Sequence, residues 1–206
     1  MAGLFQVLWG AEDGFKPVEP LKGTDGKLLI IPADEGNKEL VKKICTRPTA
    51  VDWDGDKTLD LVVGNFEGSF YVFSGEGDGK FDPTPEVIKC EGEDLRIDGV
   101  HSDPFVIDWD GDGDLDLLSG SSNGGARWAE NKAGEGKSPE LRPFSALVEA
   151  PGYNKSTGDT PSDSTRVWVD DFNGDDKLDL ILGDRLSIKK DGKSERTGRV
   201  WVYLQK

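Results

Sequence analysis

The sequence predicts an all-β fold, a β-propeller built of four-stranded antiparallel blades, and three observations support this prediction. An acidic loop followed by a short apolar strand occurs three times. A glycine and an aromatic strand follow each copy, and turns rich in Gly and Asp then lead to further short strands. No segment has the apolar periodicity of a helix. Four antiparallel strands repeated about every 60 residues are typical of propeller blades.

The acidic repeat is the element that organises the chain. Its three copies span residues 51–64, 107–120 and 170–183. Each copy closes with Leu-Asp-Leu, and the first acids of the loops are Asp52, Asp108 and Asp171. Three loops in register are not explained by polar turns alone, so we expect them to occupy equivalent places in successive blades.

The aromatic strand follows each acidic repeat, at residues 68–73, 125–130 and 198–203. Residues 3–9 carry the same element without an acidic loop before it. These elements supply about two strands from the N-terminal part, four from each of the first two repeats and three from the last. The total of about thirteen strands is smaller than the roughly sixteen strands of a closed four-bladed ring. We therefore expect about three blades plus a partial one. A piece of a longer protein is the favoured explanation, and irregular closure or two chains that complete each other are the alternatives.

The repeats also predict the domain organisation, a single propeller-type domain over residues 1–206. Within it we expect the partial blade at 1–45 and the blades with the first, second and third loops at 46–100, 101–164 and 165–206. Two segments exceed a minimal blade. Residues 150–164 read as a polar loop, and residues 186–197 lengthen a turn of the last blade. Long insertions on a rigid scaffold often carry function.

Composition excludes several classes of partner. Lys and Arg number 25 against 40 Asp and Glu, giving a net charge of −15. Such an acidic chain is a poor partner for nucleic acid or for an anionic membrane surface. No apolar run reaches the roughly 20 residues of a membrane span, and no signal peptide is visible. Cys45 and Cys90 do not form a disulfide scaffold, and the sequence does not decide whether they pair.

The acidic loops have the donor pattern of a metal site. Acidic or amide side chains stand at positions 1, 3, 5 and 9 of each loop, and position 7 is expected to offer its backbone carbonyl. Hard oxygen ligands on a flexible loop select Ca²⁺ over soft metals and over Mg²⁺. The sequence therefore predicts about three Ca²⁺ ions, with these candidate ligands: Asp52, Asp54, Asp56, Thr58 and Asp60; Asp108, Asp110, Asp112, Asp114 and Asp116; Asp171, Asn173, Asp175, Lys177 and Asp179.

An EF-hand is excluded by the second half of each loop. That motif needs Gly at position 6 and a bidentate Glu at position 12. Position 12 is Val63, Ser119 or Leu182, and the flanking segments are strand-like.

The nine-residue Asp-x-Asp-Gly-Asp-x-x-x-Asp loop before a short apolar strand resembles the VCBS and FG-GAP repeats, which are integrin-α-like propeller blades. The resemblance covers nearly the whole chain and is closer to bacterial secreted VCBS proteins than to integrins. It implies a calcium-stabilised propeller with one Ca²⁺ per loop, outside the cytoplasm, and it implies no particular ligand.

Several other residues carry structural or functional expectations. The aromatic residues at position 2 of the loops are Trp53, Trp109 and Phe172, and those in the strands are Trp128, Trp168 and Trp201. All six are expected in the core between blades, whereas Trp9 is expected near an open end. Arg47, Asp103 and Arg166 each precede a loop by five residues, so they are expected near the mouth of an axial channel. His101 beside Ser102 does not form a catalytic triad, because strand neighbours point to opposite faces.

These observations predict a calcium-stabilised extracytoplasmic scaffold, at the cell surface, in the periplasm or secreted, that binds a protein or a glycan and is not an enzyme. A polysaccharide lyase or hydrolase that uses the channel mouth is one alternative. A fragment of a larger propeller without activity alone is the other. An open arc of blades is expected to self-associate or to need further blades.

Overall fold

The computed structural model describes residues 4–31, 44–153, 155, 159–190 and 193–206, and these residues form an all-β structure. No helix among them has the length and apolarity to cross a membrane. The strands are β1 (Gln6–Val7), β2 (Gly10–Ala11), β3 (Gly14–Phe15), β4 (Glu19–Pro20), β5 (Arg47–Val51), β6 (Asp60–Gly64), β7 (Phe70–Phe73), β8 (Glu86–Val87), β9 (Lys89–Cys90), β10 (Glu93–Asp94), β11 (Asp103–Ile107), β12 (Asp116–Gly120), β13 (Ala126–Ala129), β14 (Ser145–Val148), β15 (Asp163–Asp170), β16 (Asp179–Lys190) and β17 (Lys193–Tyr203).

Three antiparallel sheets correspond to the three acidic repeats. The first blade has the order β5-β6-β7-β8, the second β11-β12-β13-β14 and the third β15-β16-β17. The expected counts of four, four and three strands in the blades are therefore confirmed, whereas the N-terminal part has four short strands, β1 to β4, in place of the expected two. In each blade the acidic loop joins the first strand to the second, and the second strand begins at the ninth loop residue, Asp60, Asp116 or Asp179.

Apolar side chains that alternate along the strands form a core between each pair of neighbouring blades. Val62 and Phe70 of the first blade pack with Val106, Leu117 and Ala129 of the second. In the second joint, Leu118 and Ala126 pack with residues of the third blade: Val167, Val169, Leu180 and Leu182. The second blade thus has one face toward the preceding blade and one toward the following blade, which is the stacking expected of a propeller.

The N-terminal segment, residues 4–31, covers the outer part of the first blade. Its short strands pair as β1-β4 and β2-β3, in two separate sheets. Phe5, Leu29 and Ile31 are buried against the first blade, in a cluster that includes Leu61 and Phe73. Phe5 meets Phe73 edge to face, with ring centroids 5.6 Å apart. This segment takes the place of a preceding blade, but only over part of the face.

The third blade ends in a long two-stranded ribbon. The pairing of β16 with β17 continues without a break from Leu180↔Tyr203 to Lys190↔Lys193. The extra residues 186–197, expected to lengthen a turn, instead extend both strands of the hairpin up to the pair Lys190↔Lys193, and residues 191–192 lie outside the described residues. The other expected insertion, 150–164, is described except for 154 and 156–158, and its last residues already belong to β15.

The blades form an arc. Successive inner strands contact one another, β5 with β11 and β11 with β15. Among the described residues, no sheet links the third blade to the first blade or to residues 4–31, so no closed ring forms. The expected incomplete propeller is confirmed.

Candidate metal centres

The first acid of each loop folds the loop around its own carboxylate. Asp52 Oδ1 accepts the N–H of Gly55 at 2.9 Å, and its Oδ2 accepts the N–H of Lys57 at 3.0 Å. Asp108 and Asp171 bond positions 4 and 6 of their loops in the same way, at 2.7 to 3.1 Å. An ionised carboxylate accepts about four hydrogen bonds, so each oxygen of Asp52 and Asp108 keeps a free lone pair. Asp171 Oδ1 differs, because it also accepts the N–H of Asp175 at 3.0 Å.

Positions 3 and 5 repeat this arrangement one step further along the chain. The side-chain oxygen of each accepts the N–H two residues later, as Asp54 does from Asp56 and Asp56 does from Thr58. Asn173 replaces the acid at position 3 of the third loop, and its Oδ1 still accepts the N–H of Asp175 at 2.9 Å. The three loops therefore share one backbone course, in which successive side-chain oxygens turn back onto the loop.

The last acid of each loop has a structural role that the sequence pattern did not reveal. Asp116 is buried; its Oδ2 accepts the N–H of Trp109 at 3.0 Å and its Oδ1 the N–H of Asn131 at 2.8 Å. Asp60 and Asp179 make equivalent pairs of bonds to position 2 of the loop and to a residue beyond the third strand. Position 9 thus connects three segments of its blade, in addition to its candidate role as a metal ligand.

Position 7 was expected to contribute only its backbone carbonyl, and in two loops its side chain also holds the loop in place. Asp114 is buried, and its Oδ2 accepts the N–H of Gly134 at 2.8 Å. In the first loop, Thr58 Oγ1 donates to Gly75 O at 3.2 Å. Both bonds join the loop to the turn after the third strand. Asp114 Oδ1 is buried without a hydrogen-bond partner among the described residues.

In each of the first two loops, the carboxylate oxygens lie close enough together to bind one cation. One carboxylate oxygen from each of Asp52, Asp54 and Asp60 lies within 4.8 Å of the others, and Asp108, Asp110 and Asp116 form the same group. Ca²⁺–oxygen distances of about 2.3–2.6 Å place two ligands of one ion within about 5 Å of each other. The buried, unpartnered Asp114 Oδ1 adds an uncompensated acceptor to the second loop. These residues fit a hard divalent cation such as Ca²⁺.

Burial and repulsion from neighbouring acids raise the pKa of four acids in the first two loops. The pKa of Asp116 lies above its usual value because burial penalises its charge, although N–H groups of Asn131 and Trp109 oppose the shift. Burial likewise raises the pKa of Asp60, Asp110 and Asp114, with neighbouring acids adding to each shift. A bound cation would compensate this concentration of negative charge.

Backbone geometry at position 6 differs in cost among the three loops. Gly113 occupies it in the second loop with φ 94°, whereas Lys57 and Asp176 stand there with φ 75° and 64°. Left-handed backbone costs a non-glycine residue roughly 1–2 kcal/mol. The second loop therefore has the least strained backbone.

The aromatic residues of the loops and strands lie in a core, as expected, only where another blade packs against them. Trp53 is 8% exposed in the core between the first two blades, and Trp109 packs at the second joint. Trp128 and Trp201 also pack at the second joint, and Trp9 packs against the N-terminal cluster. For Phe172 and Trp168, exposed by 62% and 58%, the core prediction is wrong because no blade among the described residues covers their side of the third blade. The Trp168 ring still meets Phe105 of the second blade edge to face, with centroids 5.2 Å apart.

The three charged residues expected at the channel mouth do come together. Asp103 Oδ1 lies 3.2 Å from Arg47 Nε and 3.7 Å from Arg166 Nε, so one carboxylate links the inner strands of all three blades. Burial raises the pKa of Asp103, and the two guanidinium groups oppose that shift. A neighbouring cleft of about 470 Å³ is lined by His101, Ser164, Arg166, Gly183, Asp184 and Arg185.

Hydroxyl groups beside this cluster point into the joints between blades. Ser102 Oγ accepts the N–H of Asn65 at 2.8 Å and donates to Ser69 O at 2.7 Å. Thr165 makes the equivalent bonds to Ser121 and Gly125 of the preceding blade. Both side chains therefore fix one blade to the next.

The structure also describes the surroundings of His101 and of the two cysteines. The His101 ring packs edge to face on Phe66, with centroids 4.5 Å apart, and burial lowers its pKa, as do three nearby arginines. Ser102 uses its hydroxyl in the joint, so the two residues do not form a nucleophile and base. Cys45 and Cys90 are both free thiols.

Comparison with known proteins adds a family assignment to this geometry. Two overlapping stretches, residues 52–119 and 108–182, match the model of the FG-GAP-like repeat. Each stretch begins at the first acid of a loop and runs through the following loop. No curated protein and no solved structure matches the chain.

Proposed function

Because the chain belongs to the FG-GAP-like repeat family, we propose that it is a calcium-stabilised extracytoplasmic propeller module that binds a protein or a glycan. The observation that carries the calcium part is the repeated loop geometry. Three loops share one hydrogen-bonding scheme, and in two of them three carboxylates lie within 4.8 Å of one another. Without a cation, this arrangement concentrates negative charge on a chain whose net charge is already −15.

Extracellular conditions suit such sites. Extracellular calcium modules have dissociation constants of about 0.1–1 mM, which fit a millimolar calcium concentration and not a cytosolic one. Ca²⁺ at about ten times the dissociation constant adds roughly 1.4 kcal/mol of stability for each site. Calcium is thus proposed to stabilise the arc, while another surface binds the ligand.

The axial end of the blades supports the binding part of the proposal. The cleft beside Asp103 is lined by Arg166, Arg185 and the acid Asp184, and residues 183–185 belong to β16 of the third blade. Arg166 and Arg185 lie 3.7 and 3.6 Å from Asp103 and Asp163. Arg185 lies over the ring of Tyr153, with Cζ 5.9 Å from its centroid, so a planar cation and an aromatic face are presented together. Such groups suit carboxylate-bearing sugars and acidic peptides.

Thermal unfolding tests the calcium part. The wild-type chain is compared in EDTA, in 2 mM Ca²⁺ and in 2 mM Mg²⁺, alongside Asp110→Asn. Asp110 is exposed, and an asparagine retains the oxygen that accepts the N–H of Asp112, so the variant is expected to fold as wild type in EDTA. We expect Ca²⁺ to raise the midpoint by several degrees, Mg²⁺ to raise it less, and Asp110→Asn to reduce the gain. No response to Ca²⁺ in a cooperatively folded chain would overturn the proposal.

Binding is tested with an array of neutral and uronic acid-containing oligosaccharides, probed with the labelled chain in Ca²⁺. Arg185→Ala removes a cation of the axial cleft, and Arg142→Ala removes an exposed arginine of the second blade as the matched control. We expect retention of uronate oligosaccharides that Arg185→Ala weakens and Arg142→Ala leaves unchanged. Equal retention by both variants would place the binding surface elsewhere.

A further inference from the structure

The outward face of the third blade repeats positions that are buried elsewhere in the chain. Each blade has a cross-strand pair that begins two residues after the ninth loop residue. These equivalent pairs are Val62 with Val72 in the first blade, Leu118 with Trp128 in the second and Ile181 with Val202 in the third. Val200 is two residues before Val202, as Phe70 and Ala126 are before Val72 and Trp128. Phe70 and Ala126 are completely buried by the next blade, whereas Val200 is 73% exposed.

A glycine on this blade is independent evidence that a strand approaches the same face. Gly64 and Gly120 end the second strands of their blades, and a Cβ on either would lie 2.4 Å from a backbone oxygen of the following blade, at Ser102 or Thr165. Gly183 is the third member of this series. A Cβ there would meet nothing closer than Arg166 Cβ at 4.0 Å. The third blade therefore keeps a glycine that no neighbour within the described chain requires.

The first blade has the complementary feature, an inner strand before which the described part of the chain places no blade. Thr46 corresponds in sequence to Ser102 and Thr165, which fix their blades to the preceding ones. Pro48 and Ala50 are exposed, although the equivalent Pro104 and Val106 are buried. These first-blade residues line an apolar groove of about 610 Å³, bounded on its other side by Leu4, Val7 and Trp9.

Exposed apolar side chains lie at the two ends of the arc. Among the described residues, those of the second blade contribute no large exposed hydrophobic side chain, apart from Tyr153 in the segment that leads to the third blade. The N-terminal end exposes Leu8, Phe15, Val18 and Leu59, and the third blade exposes Trp168, Phe172, Val200, Val202, Tyr203 and Leu204. Large exposed apolar patches mark association surfaces.

The charge distribution is compatible with the same pairing of ends. Residues 185–206 contain seven Lys and Arg against two Asp and Glu, in a chain whose net charge is −15. The groove is lined by one acid, Asp78, and one base, Lys57. A basic third-blade end that meets a groove without net charge avoids the repulsion between the acidic remainders of two copies.

We propose that the open face of the third blade of one copy packs on the groove end of the first blade of a second copy, continuing the stacking seen at both internal joints. In this arrangement Thr46, just before the inner strand β5, meets Gly183, as Ser102 meets Gly64 and Thr165 meets Gly120. If the contact is reciprocal, two copies close into one six-bladed ring, and each contributes three blades. Gly183 also lines the axial cleft, so this contact would compete with a ligand bound there.

Molar mass from light scattering after gel filtration, in Ca²⁺ and in EDTA, tests this pairing. Wild type at tens of micromolar is expected to have at least twice its 22.4 kDa chain mass. Gly183→Val adds a branched side chain where the single chain has open space, so the variant is expected to be a monomer whose thermal midpoint equals that of wild type diluted until it is monomeric. Ala50→Glu at the groove end is expected to have the same effect.

Val200→Asp provides a second test on the same face, because a residue exposed by 73% is replaceable without disturbing the blade. Ala146→Asp, on the exposed part of β14, introduces the same charge away from both ends and is expected to associate like wild type. A monomeric wild type at every concentration would overturn the proposal. So would an assembly that persists unchanged in Gly183→Val, Ala50→Glu and Val200→Asp.

Discussion

Asp60 Oδ1 accepts the backbone N–H of Gly75 at 2.7 Å, so the last acid of the first loop is bonded to a residue beyond the end of β7. The same relation joins Asp116 to Asn131 in the second blade and Asp179 to Gln205 in the third. The ninth loop residue therefore holds its blade together whether or not a cation is bound. Among the described residues, the side chains at positions 3 and 5 bond only within their own loop, whereas the acid at position 9 also bonds a residue beyond the third strand.

Replacing a position-9 acid is expected to destabilise the protein even without calcium. In Asp116→Asn one carboxylate oxygen becomes an NH₂ group that faces a backbone N–H, so a buried donor loses its acceptor. Such a loss costs about 1–3 kcal/mol. Urea unfolding in EDTA measures it, and Asp110→Asn, at position 3 of the same loop, is the control expected to change little. Equal stability of the two variants would contradict the structural role of position 9.

Position 6 offers a stabilising substitution in the first loop. Lys57 has φ 75°, so Lys57→Gly relieves left-handed strain while the N–H bonded to Asp52 is retained. The gain is at most about 1 kcal/mol, because glycine also increases the entropy of the unfolded chain. Gly113→Ala is the reverse experiment in the second loop and is expected to lose a similar amount. Both are measured by urea unfolding in EDTA, and opposite signs are the required result.

The hydroxyls at the blade joints are expected to matter as much as a core residue. Ser102→Ala leaves the buried N–H of Asn65 without that acceptor and the carbonyl of Ser69 without its donor, and a loss of about 1–3 kcal/mol is expected. Ser138, an exposed serine of the second blade, provides the control Ser138→Ala. Thermal unfolding of both, with wild type, decides the point. If both variants unfold at the wild-type midpoint, the bonds of Ser102 contribute nothing measurable.

The benefit from calcium is expected to fall as the pH falls. Burial raises the pKa of Asp60 and Asp116 in the folded chain above the unfolded value. Ionising them therefore opposes folding at neutral pH, and this penalty disappears as the pH falls through the folded pKa. The calcium-bound form needs the carboxylates ionised, so a lower pH weakens calcium binding. In the calcium-free chain, the same protonation removes the cost of burying ionised carboxylates. Midpoints in Ca²⁺ and in EDTA should thus converge as the pH is lowered from 7 toward 4, and a constant difference would contradict this account.

The sequence by itself determined the repeat, the order of strands and the course of the loops. These features depend on contacts within about ten residues, such as the side chain of Asp108 bonding the N–H groups of Gly111 and Gly113. Local spacing is enough to specify such bonds. The family resemblance rests on the same residues, and the match to the FG-GAP-like repeat over residues 52–119 and 108–182 confirms it.

Only the tertiary structure decided what each repeated position does. Trp53 and Phe172 hold the same place in their loops, yet one is buried and the other exposed, because burial depends on whether another blade lies beside it. The partners of Asp60 and Ser102 come from other strands, and the meeting of Arg47 with Asp103 requires two inner strands to lie side by side. A repeat in one chain specifies equivalent local geometry, whereas the contacts of each copy depend on which neighbours the folded arc provides.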